Sequence, residues 1–134
     1  VIVVLDASAA IKIVFQQTSA KQFSQIITNA DWVITPDIYV SEVTNVFWKY
    51  HQLEDLPLDI TEDLLNKAIR LIDDVIEAGD LYQEAFNLSC QTNHPVYDSL
   101  YLICARRYSA TLVSVDNKLN KLAQKHSIRT VDRS

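Results

Sequence analysis

The sequence predicts an α/β fold: a small parallel sheet of about four to five strands sandwiched between helices. Three observations predict it. Short β-branched runs, Val1–Leu5, Trp32–Thr35 and Thr111–Val115, are separated by longer amphipathic stretches, the order expected of strand–helix–strand units. The first run is continuously apolar instead of alternating, as befits a strand buried on both faces. The 134 residues, 49% hydrophobic and 22% charged, suffice for one domain spanning 1–134 with a genuine core and leave no room for a second.

Each element follows from local chemistry. After the Val1–Leu5 strand, Ser8 is placed to cap a helix from about Ala9 to Phe15. Ser19–Thr28 forms another helix, with Phe23, Ile26 and Ile27 on its apolar face. Trp32–Thr35 is the second strand, and Pro36 suits the first turn of a long helix to about His51. Its apolar side is Tyr39, Val40, Val43, Val46, Phe47 and Tyr50. Asp59–Glu77 reads as one helix, because Leu64, Leu65, Ala68, Leu71, Ile72 and Val75 recur as a single stripe. Gly79-Asp80 ends it. Leu81–Gln91 is the next helix, and Pro95 opens another through about Tyr108. Thr111–Val115 is the third strand, Asp116–His126 a helix, and Ile128–Val131 a last, exposed strand.

Composition excludes several kinds of chemistry. Gly79 is the only glycine, so neither a P-loop nor a dinucleotide fingerprint is present. No apolar stretch approaches the roughly 20 residues that span a bilayer, and no basic-then-apolar leader is visible. The expected location is the cytoplasm. A start at Val1 with no methionine anywhere suggests trimming. Cys90 and Cys104 fall in amphipathic stretches and read as two buried free thiols. His51, His94 and His126 are scattered and propose no histidine metal site. The net charge of −5 is unevenly shared: residues 1–93 hold 5 Lys/Arg against 14 Asp/Glu, and residues 94–134 hold 7 against 3. The asymmetry suggests two partners of opposite sign, or one partner read by the basic end alone, with Arg106, Arg107, Lys118, Lys121, Lys125 and Arg129; a solvated helix surface is the plain alternative.

Four acids carry most of the functional information. Asp6 and Asp116 each follow an apolar strand, where open parallel sheets bind their ligands. Carboxylates gathered there repel one another unless a cation lies between them. Glu42 shares a helical row with Asn45 and Lys49, spaced three and seven residues on. Asp98 lies early in a helix whose other faces, with Val96, Tyr97, Leu100, Tyr101, Leu102, Ile103 and Cys104, are nearly all apolar. A charge among them demands a partner. Asn117 and Ser114 are candidate supporting groups beside Asp116. Ser8 caps its helix, bonds to Asp6, or does both.

The windows Val4-Leu5-Asp6-Ala7-Ser8, Pro36 through Ser41-Glu42-Val43 with Asn45-Val46, Tyr97-Asp98-Ser99-Leu100-Tyr101 with Ala105, and Ser114-Val115-Asp116 with Leu119 occur in an order that resembles the PIN-domain ribonucleases. The resemblance is strongest to the VapC-type toxins of prokaryotic toxin–antitoxin pairs and spans essentially the whole chain. It implies a PIN-like α/β/α fold and an endoribonuclease dependent on one or two magnesium or manganese ions. By position, Asp6, Glu42, Asp98 and Asp116 would be the metal-binding and catalytic quartet, with Ser8, Asn45, Ser114 and Asn117 supporting. Serine stands at 114 where threonine is frequent in the family, and the hydroxyl is retained. Water activated at the metal would cut RNA to leave a 5′-phosphate and a 3′-hydroxyl. Lys49 and Lys118 are candidate contacts to the RNA backbone. The resemblance also implies a homodimer and a cognate antitoxin. The antitoxin's peptide would lie between the helices at 19–29, 36–51 and 59–77 and reach an arginine into the acidic pocket.

Other readings are weighed by single positions. An adhesion-type Asp-x-Ser-x-Ser site fails at Ala10, and a phosphatase with a second acid two residues after the first fails at Ser8. A catalytically idle binding module on the same fold conflicts with the intact quartet. A DNA-directed nuclease would need extra helices for which the chain has little space.

Overall fold

The computed structural model describes residues 1–131. Four strands form one parallel sheet: β1 (Ile2–Leu5), β2 (Trp32–Pro36), β3 (Asp74–Ile76) and β4 (Thr111–Val113), in the order β3-β2-β1-β4. Seven α-helices cover it among the described residues. They are α1 (Ala7–Val14), α2 (Lys21–Asn29), α3 (Ile38–Glu54), α4 (Leu58–Arg70), α5 (Tyr82–Thr92), α6 (Val96–Arg107) and α7 (Asn117–Lys125).

β1 is central, with Val3 opposite Val33 of β2 on one side and Thr111 of β4 on the other. Alternate side chains enter opposite cores. Val3, Leu5, Val33 and Val113 pack with Phe23, Tyr39, Val43 and Phe47 from α2 and α3. Val4, Ile34 and Leu112 pack with Leu88, Leu102 and Ile103 from α5 and α6. Both faces are therefore dry, which explains the unbroken apolar run in β1. The Tyr39 hydroxyl donates to the Ala68 carbonyl at 2.7 Å, and Thr35 Oγ1 donates to the Leu5 carbonyl at 2.8 Å. The first bond ties α3 to α4 and the second ties β2 to β1. From β1 the chain builds β2 and β3 on one side, then crosses back to add β4 on the other. The reversal between β1 and β4 opens a crevice at their carboxyl ends. Asp6 and Asp116 follow those two strands.

Several boundaries differ from expectation. Residues 59–77 are not one helix: α4 stops at Arg70, and β3 pairs along Ile34–Pro36. Asp73 Oδ2 accepts from the Val33 amide at 2.8 Å, which holds the chain to the sheet at this turn. Val75 is 43% exposed on this edge strand, and its fit to the helical stripe is coincidental. Three residues are too few to display a period of their own. Pro36 is the last residue of β2, opposite Ile76, and not the first turn of α3. Ile128–Val131 is not a strand in its own right. It makes a single parallel bridge, Thr130 to Leu112, beside a 2.8 Å bond from the Leu112 amide to the Arg129 carbonyl. Val40 is exposed although the spacing predicts it on the apolar side of its helix. Cys90 is exposed as well, and only Cys104 is buried, where burial pushes its thiol up to about 12. No described helix is long and apolar enough to cross a membrane.

The scarce glycine leaves a mark on the backbone. Gln16, Asp55, Asn93, Ser109 and Ser127 have left-handed φ values of 51° to 61°. Each lies just beyond a helix, where glycine is ordinarily favoured. Gln16→Gly is expected to raise the unfolding free energy by about 0.5–1 kcal/mol, read from the urea midpoint. A lower midpoint would show that the Gln16 side chain outweighs its backbone strain.

Candidate metal centre

Asp6 ends β1 and caps α1. Its Oδ1 accepts from the Ala9 amide at 3.0 Å and from Ser8 Oγ at 2.8 Å, and its Oδ2 accepts from Ser114 Oγ at 2.5 Å. The capping role expected of Ser8 thus belongs to Asp6, because α1 starts at Ala7, two residues earlier than predicted. Ser8 lies inside the helix and braces the carboxylate, and its hydroxyl also accepts from the Val115 amide at 3.2 Å. Asp6 is only 5% exposed. Burial pushes its pKa up to about 6, while the bonds from Ser114, Ala9 and Ser8 pull it down and Asp116 raises it further.

Asp116 repeats the arrangement after β4. Its Oδ1 accepts from the Lys118 and Leu119 amides at 2.9 and 3.2 Å, which caps α7. Its own amide donates to Ser114 Oγ at 3.0 Å. Ser114 therefore links both strand-end acids. Asn120 Nδ2 donates to the Ser114 carbonyl at 3.0 Å, and its buried Oδ1 has no partner among the described residues.

Glu42 and Asp98 approach from two helices. Glu42, in the second turn of α3, accepts from the Tyr101 hydroxyl at 2.5 Å. Asp98 occupies the first turn of α6, where the helix dipole favours an acid. Both carboxylates are part-buried, and burial raises both pKa values. Asp98 raises Glu42 further and Asp116 raises Asp98, against which His94 pulls downward. Tyr101 titrates far above its ordinary range, chiefly through burial, with Glu42 and Asp6 adding to the shift. Val96 and Tyr97 are exposed, so the apolar surroundings expected of Asp98 exist on one side only.

The acids therefore form an electrostatic chain, Glu42–Asp98–Asp116–Asp6, in which each link is repulsive. No lysine or arginine pairs with any of them among the described residues. Nor are three or more such side chains already gathered as a metal-holding cluster there. The donors are all oxygens, the set that hard divalent cations prefer over zinc, and uncompensated repulsion is what such a cation relieves. The donor chemistry, carboxylate throughout, is the kind such an ion takes.

The supporting residues divide. Ser8 and Ser114 contact Asp6 directly. Asn45 lies beside Glu42, lining the same shallow pocket, and Asn117 is the first residue of α7. Lys49 and Lys118 are exposed, Lys49 one turn beyond Asn45 and Lys118 two residues after Asp116. Of the basic end, Arg107 is paired with Glu84, and Arg129 donates to the Ser109 carbonyl. Tyr101 and Asn120 are polar contributors beyond those the sequence predicts. A tyrosine three residues after Asp98, inside the wholly buried run 99–105, was the available sign, because a buried hydroxyl needs a partner. Asn120 offered none.

The parallel sheet thus has its switch point edged by carboxylates that make no ion pair among the described residues. The chain belongs to the PIN domain family, whose model matches residues 3–125. It is 26% identical over 122 residues to Ribonuclease VapC3 of Pyrobaculum aerophilum, a match covering 87% of this chain and 90% of that relative. The crystal structure of PAE2754 from Pyrobaculum aerophilum has the same fold, with a TM-score of 0.76 at 20% identity over 98% of this chain and 91% of that one. The family and the α/β/α architecture expected from the sequence are both met.

Proposed function

We propose that the chain is a metal-dependent endoribonuclease, the toxin of a VapBC-type toxin–antitoxin pair. The observation that carries this reading is the chain of mutually repelling carboxylates at the switch point, with no basic side chain paired to it among the described residues. Family membership and the likeness to Ribonuclease VapC3 support it.

Asp6, Glu42, Asp98 and Asp116 hold magnesium or manganese in this reading. The bound ion supplies Lewis acidity, activating water and neutralising charge on the attacked phosphate. Ser8 and Ser114 orient Asp6, Tyr101 orients Glu42, and Asn45 and Asn117 support from the rim. Lys49 and Lys118 contact the RNA backbone, so binding weakens as salt rises. No nucleophilic side chain is required, and the products are a 5′-phosphate and a 3′-hydroxyl.

The antitoxin would dock at α3 and α4. A cavity of about 170 Å³ opens there between Phe47, Trp48, His51, Leu58 and Leu65, of which Trp48 and Leu58 are exposed. An antitoxin arginine entering the acidic chain would replace the ion's charge. A homodimer and a cytoplasmic location complete the reading, since RNA and antitoxin are both met inside the cell.

The test is direct. Purified protein should cut single-stranded RNA with manganese or magnesium and stop on chelation, leaving 5′-phosphate ends. Expression should arrest growth, and a co-expressed small neighbouring gene should relieve it. Manganese binding without RNA cleavage would instead indicate an idle PIN module, and preference for DNA would reassign the substrate.

A further inference from the structure

Beside Glu42 lies an open pocket of about 290 Å³ lined by Ile38, Ser41, Glu42, Asn45 and Tyr97. Only Glu42 belongs to the acidic chain. Tyr97 stands immediately before Asp98 and is 62% exposed. Among the described residues its ring meets no other ring and its hydroxyl makes no hydrogen bond, and the side chains of Ser41 and Asn45 have no hydrogen-bond partner. A bare aromatic face, a free amide and a free hydroxyl thus converge one residue from Asp98, around an apolar floor at Ile38.

That combination is suited to a nucleobase. Unpaired bases are recognised by stacking on aromatic side chains and by hydrogen bonds along their edges. An asparagine amide offers a donor and an acceptor side by side, matching such an edge. A base held in a duplex cannot leave its stack to enter the pocket without unpairing.

We propose that this pocket receives one unpaired RNA base, stacked on Tyr97 with its edge toward Asn45 and Ser41, and thereby selects where the strand is cut. The proposal rests on the nuclease reading above and extends it to substrate choice. The base in the pocket sets the neighbouring phosphate against the acids, so the preferred substrate is single-stranded.

The experiment is a cycle between protein and substrate. Short single-stranded RNAs with a mapped cut site are compared with the same RNAs carrying an abasic ribose beside the cut, in manganese. Tyr97→Ala is expected to lower kcat/KM about tenfold or more, and Tyr97→Phe to keep the wild-type rate, because the ring and not the hydroxyl does the stacking. Removing one flanking base should cost the wild type a similar factor and cost Tyr97→Ala nothing further. Wild-type cleavage by Tyr97→Ala would overturn the proposal, as would losses from ring and base that simply multiply. A loss accompanied by a changed oligomeric state on gel filtration would do the same, by assigning Tyr97 to contact between copies. If the wild type cuts none of the RNAs, the nuclease reading falls and the pocket's role falls with it. If the wild type cuts but the cycle shows no coupling, only the pocket's role is lost.

Discussion

Asp98→Asn is expected to reduce metal-dependent RNA cleavage by at least about 100-fold, since even supporting groups around a metal are commonly worth 10- to 100-fold. The substitution keeps the side chain's shape and an acceptor oxygen in the first turn of α6, but removes the charge that faces Glu42 and Asp116. The fold should survive, because Asp98 is part-buried and makes no ion pair among the described residues. Relief of repulsion should even raise the unfolding midpoint of metal-free protein. Rates are to be measured under single-turnover conditions, with circular dichroism as the control. A variant that cuts at the wild-type rate would remove Asp98 from the machinery and leave the quartet without its centre.

The second large effect concerns pH. Asp6 has an ordinary value of 3.8 and a folded value of about 6, so the folded state binds the proton more tightly than the unfolded chain. Below 3.8 this group's contribution to stability is complete. As pH rises through 6 it is lost, at a cost of about 3 kcal/mol from the two-unit difference. Glu42 and Asp98 are shifted in the same direction. Metal-free protein should therefore be less stable at pH 7.5 than at pH 5. Asp6→Asn should flatten that dependence and stabilise the metal-free protein at pH 7.5, because an amide still accepts from the Ala9 amide and has no charge to bury. Manganese should reverse the ranking by stabilising the wild type alone. Urea titrations at both pH values, with chelator and with manganese, would decide it. A wild type that is indifferent to both would mean that these carboxylates neither strain the fold nor hold an ion.

What the sequence disclosed follows from how each signal is written. β1 and β4 were legible because both are β-branched runs buried on both faces; Asp6 marks the end of β1, whereas β4 stops at Val113, two residues short of the expected Val115. The caps at Asp6 and Asp116 are chemically ambiguous in sequence. An aspartate at a strand end starts the next helix and edges the crevice by the same placement, and the structure shows Asp6 and Asp116 capping α1 and α7. β3 was illegible because it is short, exposed and reached through residues that prolong the stripe of α4. The hydrogen bonds that fix it, Trp32 to Asp74 and the Val33 amide to Asp73, link residues about 40 apart. The Tyr101–Glu42 bond spans 59 residues, a distance that no local pattern reports. The sequence places Tyr97 in an apolar surround, since periodicity does not tell an outward tyrosine from an inward one.

The want of glycine has a consequence for how the molecule grips its ligand. Every left-handed bend among the described residues carries a side chain, so no bare main chain is on offer to wrap an anion as glycine-rich phosphate loops do. In the proposed reading, hold on RNA then passes through an ion kept by the carboxylates and through the side chains of Lys49 and Lys118. On that reading a chelator is expected to loosen the grip as well as blunt the blade.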